Sequence, residues 1–249
     1  MQLAGATHTW CRCVSRIRRS GLSTTAGERC LLDELQWSDE STVFTETRIG
    51  GYERNGGRYE ARRVKWAVVH PAVVSNDGHL VNDVALLLLD RPSTTRPLLR
   101  LPGAVPRPAA APGTPLTAIG WGIARDKNGN SYDPALLQEA VVGMMAVKDC
   151  PPYFDNGDAW GTQFCAGPPE KRIDTCQGDS GGPLIARSST VPAGDLAVGV
   201  VSWGDGCAAK TPGVYADVAA VSPWIHNTIQ WLLHEDSAGR IPGPPTAAA

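Results

Sequence analysis

No apolar stretch of this 249-residue chain approaches the ~20 residues that cross a bilayer; residues 84–89 read instead as one buried strand. Charge of one sign is missing too. Lys and Arg total 23 against 25 Asp and Glu, so a net charge of -2 offers no footing for nucleic acid or an anionic membrane. Paired C-x-x-C clusters are absent, so the seven cysteines do not form a zinc site, and no metal or organic cofactor is expected. No internal repeat is visible. Residues 1–19 lack the apolar core that opens a secreted protein, turning basic at Arg12, Arg16, Arg18 and Arg19.

What is present points to β-structure. Gly at 27 and Pro at 20 separate short apolar runs, the pattern of an all-β protein with many turns. Residues 42–69 alternate loosely between apolar and polar around Gly50-Gly51 and Asn55-Gly56-Gly57, which predicts a hairpin. Residues 91–115 carry seven prolines and read as an extended connection. Strands are predicted at 116–121, 136–142, 182–186, 196–203 and 213–218. Ser222 and Pro223 predict an N-cap and first-turn proline for a helix ending near Leu233, with residues 236–249 as a disordered tail.

The chemistry concentrates in D-T-C-Q-G-D-S-G-G-P, residues 174–183. Gly178, Gly181 and Gly182 flank Ser180, and small residues there let backbone N–H groups come close to a substrate. A serine hydroxyl needs a base to take its proton and donors to hold the oxyanion; the N–H groups of Gly178 and Ser180 are the natural donors. This string resembles the nucleophile loop of trypsin-like serine proteases, the chymotrypsin family. The resemblance runs from about Thr47 to Leu233, through N-D-V-A-L at 82–86, A-I-G-W-G at 118–122, S-W-G at 202–204, T-P-G-V-Y at 211–215 and P-W-I at 223–225.

The resemblance implies two packed antiparallel six-stranded β-barrels, the first incomplete, with a C-terminal α-helix. The protease domain would span 1–235: first barrel about 31–105, the connection at 91–115, second barrel about 116–222, helix 223–234. It implies that Asp83 is the aspartate of a Ser-His-Asp triad and that Asp174 is the floor of a pocket for Arg or Lys. Ser202, Trp203 and Gly204 would form the strand that pairs with substrate, Gly204 and Gly213 would keep the pocket open, and Asp179 would receive the amine released by activation. It also implies disulfides Cys150–Cys165, Cys176–Cys207 and Cys13–Cys30, leaving Cys11 over. Disulfides imply secretion; protein or peptide substrates and a monomeric state follow from the same resemblance.

One triad member has no counterpart. The family places histidine before cysteine in T-A-A-H-C or T-A-G-H-C, where this chain reads T-A-G-E-R-C, putting Glu28-Arg29 before Cys30. Arginine stays protonated and cannot act as a base. His8, His70, His79, His226 and His234 match no triad position. R-I-G-G at 48–51 looks like an activation junction, but cutting there would discard half the first barrel. Two explanations stay open: a pseudoprotease that binds basic peptides without cleaving them, or a coding sequence truncated or locally misread.

Overall fold

The computed structural model describes residues 47–76, 79–94, 98–103, 110–126, 128–150, 161–167, 173–188, 194–208 and 211–241. The stretch holding Cys11, Cys13, Glu28, Arg29 and Cys30, with His8 and the expected Cys13–Cys30 bridge, lies outside them.

In the N-terminal part, β1 (Thr47–Ile49) pairs antiparallel with β2 (Glu60–Arg62), so one arm of the predicted hairpin forms. The turn between them uses Gly50 and Gly57 at φ of 73° and 75°, a conformation that side chains with a Cβ resist. After β2 the expectation changes. β3 (Val64–Val69) pairs with β6 (Ala85–Leu89), while β4 (Val74–Asn76) and β5 (His79–Val81) form a separate hairpin that the sequence reading missed. The five residues of β6 are all buried, and the alternation of a strand explains why. Leu86 and Leu88 pack with Val200, Ala216, Val218 and Ile225, whereas Leu87 and Leu89 pack with Val64. β6 is therefore apolar on both faces because it lies between two cores.

The C-terminal part is one larger sheet. β7 (Pro115–Gly120), β10 (Gln138–Gly143), β11 (Gln163–Ala166), β12 (Pro183–Ala186), β13 (Leu196–Trp203) and β14 (Gly213–Asp217) run in the order β10-β7-β12-β13-β14-β11, every neighbour antiparallel. An antiparallel bridge from Met144 to Ala166, with the Met145 N–H donating to Cys165 O at 3.0 Å, brings the last strand back to the first. Closure removes the exposed edges that a six-stranded open sheet would carry. Inside are Leu116, Val142, Phe164, Leu184, Val198 and Tyr215. A small hairpin of β8 (Ala124–Arg125) and β9 (Ser131–Tyr132) sits outside.

The chain ends in α1 (Ser222–Ser237). Here the predicted cap is corrected. Val221 occupies the cap position, no side chain caps the helix, and Ser222 is the first helical residue, its hydroxyl donating to Ala219 O at 2.8 Å. Pro223 does sit in the first turn, where its missing N–H costs nothing. Residues 236–241 are not the expected tail: Asp236 belongs to the helix and pairs with Lys65, and Ile241 is only 7% exposed in the core shared with β6. Those contacts hold the helix C-terminus down.

Candidate active site

Ser180 is exposed, and neither its hydroxyl nor its amide has a partner among the described residues. The loop that presents it is held tightly. Asp179 N–H donates to Cys176 O at 2.9 Å and Gly182 N–H to Asp179 O at 2.8 Å, so the chain turns twice around Ser180. Gly178 has φ of 92° and Gly181 of 75°, which explains the glycines on both sides. A Cβ on Gly182 would lie 2.7 Å from Asp179 O and 3.1 Å from Ile119 O, so this position has no room for a side chain. Gly181 N–H donates to Val201 O at 2.8 Å, anchoring the loop to β13 one residue before Ser202.

The next residue of β13, Ser202, meets Asp83. Asp83 is 3% exposed and Ser202 is 5% exposed, and the Ser202 hydroxyl donates to Asp83 Oδ2 at 2.7 Å. It is the one hydrogen bond to this carboxylate among the described residues. Burial pushes the Asp83 carboxyl up to about 7, against the opposing pull of Ser202. Asp83 follows Asn82, which takes φ of 55° with its amide donating to Ala72 O at 2.9 Å, a local turn that delivers the aspartate to the seam.

No described imidazole reaches this pair. The His70 ring lies against Trp224 at 4.7 Å between centroids, its Nδ1 accepts the Ala72 N–H, and burial holds its pKa down. His226 Nε2 meets Pro102 O at 3.0 Å, and His234 is exposed near the helix end. The backbone of His79 is in β5.

The second cluster surrounds Asp174. Its Oδ1 accepts the Thr175 N–H at 2.8 Å and its Oδ2 the Ala208 N–H at 3.2 Å. Burial raises its carboxyl to about 6; the two N–H bonds oppose that, and nearby Asp179 adds to it. A Cβ on Gly213 would lie 2.8 Å from Asp174 Oδ1, so a side chain there would press on the carboxylate. Gly204 faces Gly213, a Cβ there coming within 3.8 Å of the Gly213 Cα. Cys176 and Cys207 are bonded, with Cα atoms 5.0 Å apart, tying the nucleophile loop to the segment that carries Ala208. Cys150 and Cys165 are bonded as well. Tyr215, buried beneath, shares a 3.2 Å hydroxyl–hydroxyl hydrogen bond with Thr175, and its phenol is raised by burial and by Asp174.

Asp179 is a third carboxylate, facing the other way. Its Oδ1 accepts the Gly122 N–H at 2.8 Å and its Oδ2 the Cys176 N–H at 2.9 Å. A Cβ on Gly120 would lie 1.9 Å from Asp179 Oδ1 and one on Gly122 2.4 Å from its carboxylate. The G-W-G string around Trp121 is thus shaped by Asp179, a link the sequence reading did not draw. Also missed was Gln163, whose Oε1 accepts the Trp203 indole N–H at 3.3 Å, with Leu80 O at 3.2 Å as a second acceptor. A glutamine inside an otherwise apolar strand was its only signal.

A closed six-stranded antiparallel sheet, a terminal helix and a glycine-bracketed serine loop define a protease-type scaffold. The family model described as Trypsin matches residues 30–225, and the chain belongs to that family. It is 36% identical over 205 residues to the rat (Rattus norvegicus) protein named transmembrane protease serine 9, covering 78% of this chain and 18% of that protein. It is 37% identical over 163 residues to pig (Sus scrofa) trypsin, 65% of each chain, and 37% identical over 149 residues to Atlantic salmon (Salmo salar) trypsin-2, 59% of each. The chain thus spans less than two thirds of the length of each of these relatives. Among the described residues, no helix is long and apolar enough to cross a membrane.

Proposed function

We propose that this chain is a trypsin-like serine endopeptidase scaffold that takes Arg or Lys side chains into the Asp174 pocket and, with the present sequence, cleaves very poorly. The observation that supports the first half is the half-buried Asp174 carboxylate beside Gly213, where a Cβ would lie 2.8 Å from its Oδ1. A guanidinium or ammonium entering there gains a charge-assisted partner, and Arg can bind it through two parallel bonds. Ser180 would attack the carbonyl, the Gly178 and Ser180 amides would hold the oxyanion, and the Ser202–Gly204 strand would align the substrate. Asp83 would orient a histidine. Asp179 would receive an activation-released amine. Glu28-Arg29 stand where that histidine belongs, so the proton of Ser180 has no acceptor of suitable pKa.

The reading from another class is a binding module that captures basic peptides without cleaving them. It is favoured by His70 and His226, which make contacts elsewhere, and by Ser180 having no partner among the described residues. The two disulfides support an oxidising compartment and hence secretion; the working unit is a monomer. Turnover of an Arg ester by the purified chain separates the readings. Loss of a triad histidine costs on the order of 10⁶ in kcat, so hydrolysis should stay near background and be unchanged in Ser180→Ala. Turnover near one per second or faster, abolished in that variant, overturns the poor-cleavage half and demands another base.

A further inference from the structure

Away from the pocket, charge is most one-sided on the first hairpin. Residues 48–63 hold five arginines, two glutamates and no lysine, in a chain whose net charge is -2. Strand register sorts these groups by face. Arg48 lies opposite Ala61, and Tyr59 and Arg63 stand two residues to either side of Ala61, so all four share one face. Thr47, Ile49, Glu60 and Arg62 take the other. Burial follows the same division. Arg48, Tyr59 and Arg63 are exposed, whereas Arg62 is buried and Ile49 packs against the core of Val64, Leu87 and Leu89.

The inner face takes up one of the two glutamates. Glu60 pairs with Arg62 and accepts the Ser93 hydroxyl and the Thr94 N–H. Glu53 lies at the turn, against Gly56 and Gly57. The outer face is left with cations. The Arg48 guanidinium lies over the Tyr59 ring, 4.6 Å from its centroid, a contact that by itself uses none of its N–H donors. The side chains of Arg58 and Arg63 hold no hydrogen bond or ion pair among the described residues. The Arg63 N–H donates to Asp90 Oδ1 at 3.2 Å, and Asp90 Oδ2 takes Arg91 Nη1 at 3.1 Å. Asp90 thus joins Arg91, itself 63% exposed, to the same edge.

The chemistry of this face selects its ligand. Each of these cations is an arginine, whose planar fork matches the oxygens of an oxyanion better than a lysine does. Four residues of extended chain, about 13 Å, separate Tyr59 from Arg63, so one small anion cannot engage both ends. The one aromatic ring on the face already carries Arg48, and an aromatic or aliphatic anchor of a peptide finds no apolar pocket here. A chain of repeated strong anions without apolar groups fits these conditions. We infer that the outer face of β1 and β2, with Arg48, Arg58, Arg63 and Arg91, binds a sulfated polysaccharide at a site apart from the Asp174 pocket. Because the contacts form at an exposed surface, each is small and sensitive to salt.

Calorimetry of the purified chain with a heparin octasaccharide tests this. Wild type should bind at low salt and release the ligand at about 1 M salt, where charges are screened beyond ~3 Å. Arg58→Ala and Arg63→Ala should each weaken binding by up to about fivefold, and the double variant by about the product. Neither side chain supports the fold, so both variants should keep the wild-type denaturation midpoint. Arg187→Ala removes an exposed arginine beyond the end of β12 and should leave the affinity unchanged. No binding by wild type at low salt overturns the inference, as does an equal loss in Arg187→Ala, which would reduce the effect to bulk charge. Equal binding of the fully desulfated octasaccharide, or tighter binding of poly-glutamate, overturns the choice of a sulfated polysaccharide.

Discussion

Two carboxylates set the chemistry of this chain, and they are buried differently. Asp83, on the seam between β6 and β13, is 3% exposed and has the Ser202 hydroxyl as its hydrogen-bond donor among the described residues. Asp174 has a backbone N–H on each oxygen and Gly213 beside it. Burial raises both, to about 7 and about 6. On the proposed function, Asp174 awaits a cation that a ligand would bring, and Asp83 one that the chain itself would supply, at the motif position where the sequence reads Glu28-Arg29. Recognition and bond cleavage are therefore separable here, since their acids depend on partners from different sources.

The strongest test of that contrast is Asp83→Asn. An aspartate raised from 3.8 to about 7 contributes stability that is complete below pH 3.8 and is lost as pH rises through 7. At about 1.4 kcal/mol per unit, Asp83→Asn should be more stable than wild type at pH 8 by up to about 4 kcal/mol, and equal to it near pH 3. Urea unfolding across pH 3–8 gives the difference, which cancels the titration of Asp174. A wild type that gains on the variant as pH rises would place a cation beside Asp83 and erase the distinction drawn here.

A second test of stability is Gly120→Ala. Its Cβ would collide with Asp179 Oδ1, so the carboxylate that braces Gly122 and Cys176 must move. Overpacking of this kind costs about 1–3 kcal/mol, measured as a lower denaturation midpoint, and the loop shift should weaken benzamidine as well. Stability and affinity both unchanged would mean that the Ser180 loop does not depend on Asp179.

Asp174→Ser should weaken benzamidine at least tenfold, since losing one partner of a desolvated charge pair costs ~2–5 kcal/mol. Smallest is the pH effect on the intact pocket. Only the ionised Asp174 attracts a cation, so benzamidine affinity should be level above about pH 7. It should fall toward tenfold per unit below about 6. A pH-independent affinity, or equal binding by Asp174→Ser, removes Asp174 from the pocket floor.

Much of the second half was legible in sequence because its constraints are local. Gly178 and Gly181 sit at positive φ, Pro223 sits in the first helical turn, and residues 196–203 form β13 at the predicted bounds. β6 announced its burial on both faces by six consecutive apolar residues. The pairing of β3 with β6 was not legible, since a strand's alternation states which face is apolar and not which neighbour it meets. β11 was missed because its Q-F-C-A is four residues long and is buried throughout, including its glutamine.

By itself the sequence determined the serine between glycines, the acid six residues earlier, and Glu28-Arg29 before Cys30, because short motifs encode backbone conformations and side-chain chemistry locally. Tertiary structure alone decided that Ser202 bonds Asp83 across 119 positions, that Asp179 rather than any turn demands Gly120 and Gly122, and that Asp174 lies against Gly213. Those contacts join residues far apart in the chain, and their energies arise only when the sheet closes and water is excluded from the seam.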